Sequence, residues 1–429
     1  MPETKVVSPE TEEVKPTRVR IRVVFILFLV LLVAYLDRVN VSVMLADPAF
    51  IGEMDLKSNP TAQGLVMSCF LFAYGIGNFI LGPIGDKLGP RKAMSFSIFS
   101  WGVAVILGAL SRALTPLYLS RAILGLGEAM HWPMQSSYVR NWFPVSERGR
   151  ANSAWGAGQF TGPALAMPIF AFIIGQYGWR ASFWFCAALG FAVLPLLWFY
   201  TKDRPDEHAG VNQAELTYIL AGQPDGTVAD PERVSVLDNI AYILTQSNFY
   251  LNTVAQWSMA TAWWGVMTWL PQYLKVARGF SWAQMGMLSS LPYVLGVIGV
   301  LSVGYFSDRF SRRAPFALLA IVGQSVCIYL GAVVTDNLSS AYLMALSMFF
   351  AGMYVPMTWS IVQTIVPGSM VGAAAGMQNG SAQFVGALAP LAIGYLIDVT
   401  GSYTGGLMYI VGFGTVGSLG MLCLAARKI

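Results

Sequence analysis

The sequence predicts an all-α membrane protein with twelve transmembrane helices in two pseudo-symmetric six-helix bundles. Of its 429 residues, 55% are hydrophobic and only 11% are charged, whereas soluble domains contain about 45–50% and about 25%. Twelve apolar stretches are long enough to cross a hydrocarbon core of about 30 Å at 1.5 Å per residue. The two sets of six stretches are also related in sequence.

A polar segment separates the two sets of predicted spans. The first six are 21–45, 62–85, 92–112, 116–140, 151–176 and 180–201. The second six are 250–274, 283–306, 313–334, 338–363, 372–397 and 403–426. The sequence thus predicts an N-terminal tail (1–20), a first bundle (21–201), a linker rich in Asp, Glu, Pro and Gly (202–249) and a second bundle (250–426). The tail lacks the apolar core of a cleaved signal.

The basic residues outside the spans predict the orientation. Most Lys and Arg lie in the tail, the linker and the loops on the same side, and such loops face the cytoplasm. We therefore expect a multi-pass inner (plasma) membrane protein with both termini cytoplasmic.

The net charge of +4 is not clustered on one basic face, so we expect no nucleic-acid partner. The four cysteines lie in apolar segments without ligand spacing, so we expect no metal and no cofactor.

An internal duplication relates the two halves. GPIGDKLGPRK at 82–92 is echoed by GYFSDRFSRR at 304–313, and PMQSSYVRNWFP at 133–144 by PMTWSIVQTIVP at 356–367. GQFTG at 158–162 matches AQFVG at 382–386. Matches at nearly one offset indicate duplicated bundles. Repeats that flank a central site are a transporter architecture, in which one half rocks against the other.

These segments resemble a known family. The pattern of Gly82, Asp86, Gly89, Arg91 and Lys92 is similar to the loop between helices 2 and 3 of the major facilitator superfamily, and RAILGLGEA at 121–129 resembles its helix 4. More narrowly, YLDRVNVSV at 35–43, NWFPVSERGRA at 141–151 and TWLPQYL at 268–274 resemble the anion:cation symporter family. The resemblance implies the major facilitator fold and bacterial sugar-acid symport of the galactonate, glucarate and hexuronate type.

The charged residues and the histidine that lie deep inside the predicted spans are all in the first half. They are Asp37, Arg38, Arg121, Glu128 and His131. A charge at bilayer depth costs about 2.5–3.5 kcal/mol on insertion scales and usually faces a polar cavity or pathway. Arginine stays charged and can grip a carboxylate with two hydrogen bonds. A carboxylate in a partly dry cavity takes up a proton more readily than in water unless a cation pairs with it.

The sequence alone allows two interpretations of these charged residues. The four Asp, Glu and Arg side chains can be ion pairs that fasten helix 1 to helix 4, with Arg121 serving Asp37 or Glu128. The family resemblance instead implies that Asp37 and Glu128 carry protons and that Arg38 meets the substrate carboxylate. His131, one turn after Glu128, either relays a proton or has a packing role.

Neutral polar and aromatic residues complete the predicted binding site. Amides and phenols can bind the hydroxyls of a hydrophilic anion, although polar residues also join membrane helices. The predicted substrate-binding residues are Arg38, Tyr74, Arg121, Gln159, Trp263, Trp264, Asn379 and Gln383.

The duplicated loop predicts a second functional element. Charged residues at equivalent positions of the two halves favour a latch that joins the halves on the cytoplasmic side rather than a catalytic set. The predicted latch residues are Asp86, Arg91, Lys92, Asp308, Arg312 and Arg313.

The sequence therefore predicts a transporter and not an enzyme. We expect a monomeric proton-coupled symporter that imports a small organic anion, a sugar acid such as an aldonate, aldarate or hexuronate, by alternating access. Its partners are the anion, protons and the lipid bilayer. One alternative is a carrier or exchanger of aromatic carboxylates or dicarboxylates. A membrane sensor without transport is the other, but a long signalling domain, which would favour it, is absent from this sequence.

Overall fold

The fold is helical throughout the part of the chain that the structure describes. A computed structural model describes residues 15–144, 147–220, 236–307, 312–367 and 371–429, and these ranges contain no strand. Nine helices within them are long and apolar enough to cross a membrane.

The helices of the first half follow the predicted spans. Their bounds are α1 Val19–Met44, α2 Pro48–Glu53, α3 Pro60–Leu88, α4 Pro90–Leu110, α5 Leu114–Glu128, α6 His131–Trp142, α7 Arg148–Gly156, α8 Gly158–Tyr177 and α9 Trp179–Pro195. Proline occupies the first turn of α2, α3 and α4, where its missing N–H removes no helical hydrogen bond. Asn59 caps α3 by accepting a hydrogen bond from the Ala62 N–H at 2.9 Å.

The second half repeats this arrangement after two helices in the predicted linker. The linker helices are α10 Gln213–Leu220 and α11 Val236–Thr245. The remaining helices are α12 Ser247–Gln272, α13 Trp282–Ser307, α14 Ala314–Val333, α15 Asn337–Ile365, α16 Val371–Thr400 and α17 Tyr403–Ala426. The membrane-spanning segments, of which α5 with α6 and α7 with α8 each form one, run alternately between the face that carries the start of α1 and the end of α17, here called the termini face, and the opposite far face.

The predicted fourth span (116–140) is interrupted in the structure. Helix α5 ends at Glu128 and α6 begins at His131. Pro133 explains the interruption, because its ring lacks an N–H and clashes with the carbonyl four residues earlier, at Ala129. The structure thus places Glu128 at the carboxyl end of a helix.

The two halves pack closely toward the far face. Helices α3 and α16 approach so tightly that a β-carbon at Gly64 would lie 2.1 Å from the Pro390 carbonyl oxygen. The Gln272 amide donates a hydrogen bond to the Gln63 amide oxygen at 2.8 Å, and the Ser68 hydroxyl donates one to the Ala387 carbonyl at 2.7 Å. Helices α8 and α13 form a second close contact between the two halves. The described contacts therefore close the bundle at the far face.

The predicted linker is docked on the first half at the termini face. The Glu215 carboxylate in α10 is fully buried and accepts hydrogen bonds from the backbone N–H groups of Val19 and Arg20 at 3.1 and 3.2 Å. The Thr17 hydroxyl donates to it at 2.6 Å, and the Arg20 guanidinium lies 3.1 Å away. Since the first N–H groups of a helix have no partner within the helix, Glu215 caps α1.

Candidate binding cavity

A cavity of about 560 Å³ lies between the two halves. It is lined by residues in the middle and on the termini side of the bundle, and its lining residues Ser136, Val355 and Asn379 are exposed. Since the halves are closed at the far face, solvent enters from the termini face. The volume is typical of small-molecule sites.

Most of the predicted substrate-binding residues meet at this cavity. Those that line it are Arg38, Tyr74, Gln159, Trp263, Trp264, Asn379 and Gln383. They come from α1, α3, α8, α12 and α16, so both halves form the walls. Arg121 is not among the described lining residues.

Arg38 connects the cavity wall to a buried carboxylate. Its Nε and Nη2 atoms lie 2.8 and 2.7 Å from the Oε2 atom of Glu128. Both side chains are almost fully buried. The guanidinium carbon lies 4.5 Å from the ring centroid of Tyr35 and 5.0 Å from that of Tyr74, which places the cation against aromatic faces. This ion pair joins α1 to α5, as the structural interpretation of the sequence expects, and it also reaches the cavity.

Asp37 and Arg121 form the layer behind Arg38. Consecutive helical residues are about 100° apart, so Asp37 faces away from the cavity that Arg38 lines. Its carboxylate interacts electrostatically with Glu128, Arg121, Arg38 and the Cys186 thiol. Glu128 Oε1 and Arg121 Nε and Nη2 have no hydrogen-bond partner among the described residues. Two cations and two carboxylates therefore share one buried cluster.

His131 lies outside the cavity lining, in contact with polar and aromatic neighbours. Its Nε2 atom is 2.6 Å from the Gln135 amide nitrogen, and its ring packs edge-on against Trp101 at 5.8 Å. The side chain is buried. These contacts satisfy the packing role that the sequence leaves open for His131.

The second half supplies a neutral wall. The Trp264 indole N–H donates a hydrogen bond to the Gln383 amide oxygen at 3.1 Å. Trp263 packs edge-on against Phe160 of the first half, with ring centroids 5.6 Å apart. Asn379 is exposed to the cavity. This wall offers amide groups and ring faces.

Several lining residues were not predicted from the sequence. They are Tyr35, Asn78, Trp132, Ser136, Phe160, Gln256, Tyr354, Thr358 and Trp359. Two of them lie one helical turn from a predicted substrate-binding residue, Tyr35 from Arg38 and Asn78 from Tyr74. A search for polar or aromatic residues three or four positions from each predicted substrate-binding residue would have found these two, but Tyr354, Thr358 and Trp359 lie in α15, where the sequence predicts no binding residue.

The structure describes only part of the predicted latch. Asp308 and the Asp86 side chain lie outside the described part. The backbone N–H of Arg91 donates to the Asp203 carboxylate at 2.6 Å, and the Arg91 guanidinium lies 5.1 Å from the Trp198 ring centroid. Lys92 and Arg312 are exposed, and Arg313 precedes α14. The described contacts of Arg91 are thus with Trp198 of the first half and with Asp203 at the start of the linker, and the latch stays a prediction.

A comparison with protein families assigns the fold. Residues 27–390 match the model of the Major Facilitator Superfamily. The chain belongs to this superfamily. This major facilitator is therefore a multi-pass membrane transporter rather than an enzyme, and the predicted fold class is confirmed. Among its described residues, no group of three or more His, Cys, Asp or Glu side chains is arranged to hold a metal ion.

Its curated relatives are transporters of small organic acids by name. The protein named "Probable sulfoacetate transporter SauU" from Cupriavidus necator is 32% identical over 92% of both chains. The "Probable galactarate/D-glucarate transporter GudP" of Bacillus subtilis is 30% identical over 92% of this chain and 90% of the relative. The "D-galactonate transporter" of Escherichia coli O6:H1 is 28% identical over 96% of both chains. These relatives confirm the predicted resemblance to sugar-acid transporters.

A solved structure shares the fold of this major facilitator. A bacterial homologue of the human lysosomal transporter Spinster, in an inward-facing and occupied conformation, superimposes with a TM-score of 0.77. The match covers 96% of this chain and 98% of that chain, at 15% identity. At this identity the match establishes the fold alone.

Proposed function

We propose that the protein is a proton-coupled symporter that imports a sugar acid across the inner membrane by alternating access, with both termini in the cytoplasm. The family and the named relatives support transport of a small organic acid. The biased distribution of Lys and Arg supports the orientation. Coupling to protons rests on the buried charge cluster.

The observation that carries the proposal is the Arg38–Glu128 ion pair at the cavity wall. Arg38 lines the cavity, and two of its nitrogens are held by one Glu128 oxygen at 2.7 and 2.8 Å. A substrate carboxylate that enters the cavity competes with Glu128 for the same guanidinium. Protonation of Glu128 weakens its hold on Arg38, so proton uptake favours substrate binding and proton loss favours release.

The position of Glu128 supports its role as a proton carrier. It is the last residue of α5, where the carbonyl ends of the helix disfavour a negative charge. Arg38 offsets this effect while the pair is intact. When a substrate carboxylate takes Arg38, the ionised form of Glu128 loses its cation and a proton becomes the favourable replacement.

Asp37 is the second proton-carrying residue in this proposal. It is buried beside the Cys186 thiol. Arg121 and Arg38 are the cations that interact with it, and Glu128 is the neighbouring carboxylate. Because Glu128 and Asp37 repel each other, a proton on one of them stabilises the charge on the other.

Charge balance explains why protons and anion move together. The two arginines and two carboxylates of the cluster sum to zero when all four are ionised. An added anion leaves a net negative charge that is costly inside the membrane. A proton on one carboxylate restores neutrality, so the loaded centre crosses the closed state more easily than the anion alone.

In this proposal, the closed far face corresponds to one stage of the cycle. With the termini in the cytoplasm, the cavity is open to the cytoplasm, and the intact ion pair corresponds to the state after proton and substrate release. Return to the outward state requires the contacts of α3 with α16 and of α8 with α13 to separate.

Glu128→Gln tests the proposal in liposomes. The substitution mimics the protonated carboxyl group, so proton-driven accumulation of the acid should be lost while exchange of internal for external substrate survives. Glu53→Gln is the matched control, because Glu53, the last residue of α2, pairs with Arg180 in the first turn of α9 at the far face, away from the cavity, and this variant should transport normally. Undiminished proton-driven accumulation by Glu128→Gln contradicts the proposal.

A carrier of aromatic carboxylates is the second candidate function. The rings of Trp132, Phe160, Trp263 and Trp359 line the cavity and can stack on an aromatic acid. A thermal-shift panel of sugar acids and aromatic acids separates the two, because bound ligands stabilise the folded protein. Stabilisation by aromatic acids alone would favour this second function.

A further inference from the structure

We propose that the cavity selects monoanions and discriminates against acids with a second ionised group. The inference rests on the proposed function, because it takes the substrate to be an organic acid bound at Arg38. It adds to that function a limit on the number of ionised groups that the substrate carries. Among acids with the same carbon chain, the one with a single carboxylate should bind more tightly.

The first step is the charge of the cavity wall. Of the described residues that line the cavity, Arg38 alone is charged. Arg121, the other cation of the cluster, is 1% exposed and its guanidinium lies 5.1 Å from the Phe70 ring centroid, away from the lining. One guanidinium therefore faces the ligand.

The second step is that Arg38 has a limited capacity. Its Nε and Nη2 atoms are directed to Glu128, and the rings of Tyr35 and Tyr74 flank its guanidinium. A guanidinium matches one carboxylate through two parallel hydrogen bonds. Even after Glu128 is displaced, Arg38 has room for one carboxylate in that geometry.

The third step is the opposite wall, where the rest of an extended ligand lies. The second half contributes amide, hydroxyl and indole groups there, among them Gln256, Thr358, Asn379 and Gln383. Neutral groups of this kind bind hydroxyls well, because each hydroxyl both donates and accepts. A second carboxylate at this wall would leave water and meet no cation, which is unfavourable for a charge.

The closing of the cavity strengthens the discrimination. While the cavity is open to the termini face, water can still solvate a second carboxylate. When the halves close, that water is excluded and the uncompensated charge remains in a low-dielectric interior. Diacids should therefore be discriminated against more strongly in transport than in binding.

Galactonate and galactarate form the matched test pair. Both have six carbons and four hydroxyls along the chain, and they differ at one end, which is a hydroxymethyl group in galactonate and a carboxylate in galactarate. At pH 7 both galactarate carboxylates are ionised, because free carboxyl groups titrate near pH 4. Affinities of the purified full-length protein are measured by isothermal titration calorimetry. We expect galactonate to bind at least tenfold more tightly, and equal or tighter binding of galactarate overturns the inference.

An aromatic pair keeps the charge limit testable if the substrate is not a sugar acid. If neither sugar acid binds, the proposed sugar-acid function fails, and benzoate and phthalate then test the charge limit alone. Benzoate should bind at least tenfold more tightly than phthalate. Preference for phthalate, or binding of neither pair, overturns the inference.

A second cation on the neutral wall should reverse the selectivity. Asn379→Arg places a guanidinium on α16, opposite Arg38, and should improve galactarate binding relative to galactonate at least tenfold. Asn379→Gln is the matched control, because it lengthens the side chain without adding charge, and it should keep the preference for galactonate. An Asn379→Arg protein that still binds galactonate but gains no affinity for galactarate contradicts the inference.

Discussion

The two halves of the molecule share a fold but divide the chemistry of the cavity. The first half contributes the buried cluster of Asp37, Arg38, Arg121 and Glu128, whereas the described residues of the second half contribute amides, hydroxyls and aromatic rings to the cavity. The first half is therefore suited to carry charge and protons. The second half is suited to recognise the uncharged part of the substrate.

The internal duplication shows how this difference arose in the sequence. The offset of 223 positions that aligns Pro133 with Pro356 also aligns Glu128 with Ala351 and Arg121 with Met344. Ala351 lines the cavity and Met344 is buried. Equivalent helix positions thus carry charge in one half and small or apolar side chains in the other, so a symmetric fold forms an asymmetric site.

Among substitutions that test the division of chemistry between the two halves, removal of Arg38 should have the largest effect. Arg38→Ala removes the one cation among the described lining residues, and we expect substrate affinity to fall at least 100-fold in calorimetric titrations. In Arg38→Lys, which keeps the charge but loses the planar guanidinium, substrate affinity should fall about tenfold. The control Arg180→Ala breaks an exposed pair with Glu53 and should bind normally.

The stability of the Arg38 variant requires a separate measurement. Breaking a buried ion pair costs about 3–5 kcal/mol because the partner charge stays buried. Arg38→Ala/Glu128→Gln removes both charges and should recover much of the lost melting temperature without recovering binding. Native affinity in the double variant would show that Arg38 does not hold the substrate.

Loss of amides from the second half should have an intermediate effect. Asn379→Ala and Gln383→Ala each remove a group that can bind a substrate hydroxyl, which is worth about 0.5–1.5 kcal/mol and predicts a two- to tenfold change in the ranking of competing acids. The pH dependence of uptake should stay unchanged, because the proton-carrying residues lie in the first half. A shifted pH profile with unchanged ranking would contradict the division between the halves.

The indole hydrogen bond of Trp264 should have the smallest effect. Trp264→Phe removes the donor that holds the Gln383 amide, and we expect a two- to threefold loss in affinity from the less ordered side chain. Trp257→Phe is the matched control, since it removes a similar bond from α12 to the Ser381 hydroxyl at 3.0 Å outside the cavity lining. Equal losses in both variants would assign the effect to helix packing rather than to Gln383.

The helices were largely predictable from the sequence, and so were the residues that carry charge. Length and apolar composition set the spans, and the cost of burying charge singled out Asp37, Arg38, Arg121 and Glu128. The choice of partners was not predictable, because Arg38 and Glu128 are 90 positions apart and Arg121 was an equally suitable cation. The rest of the aromatic lining, such as Trp132 and Trp359, was not predictable either, because an aromatic residue such as Phe99 can also face outward.

Because Glu215 caps α1, the reassembly of the two halves should depend on where the chain is cut when they are expressed as separate fragments. The helix that carries Asp37 and Arg38 begins at Val19, and its first N–H groups are satisfied by a side chain almost 200 positions later. A first half expressed as residues 1–201 would leave those groups without this partner. Two separately translated fragments should therefore reassemble into an active carrier when the cut falls after Leu220, and less efficiently when it falls after Thr201.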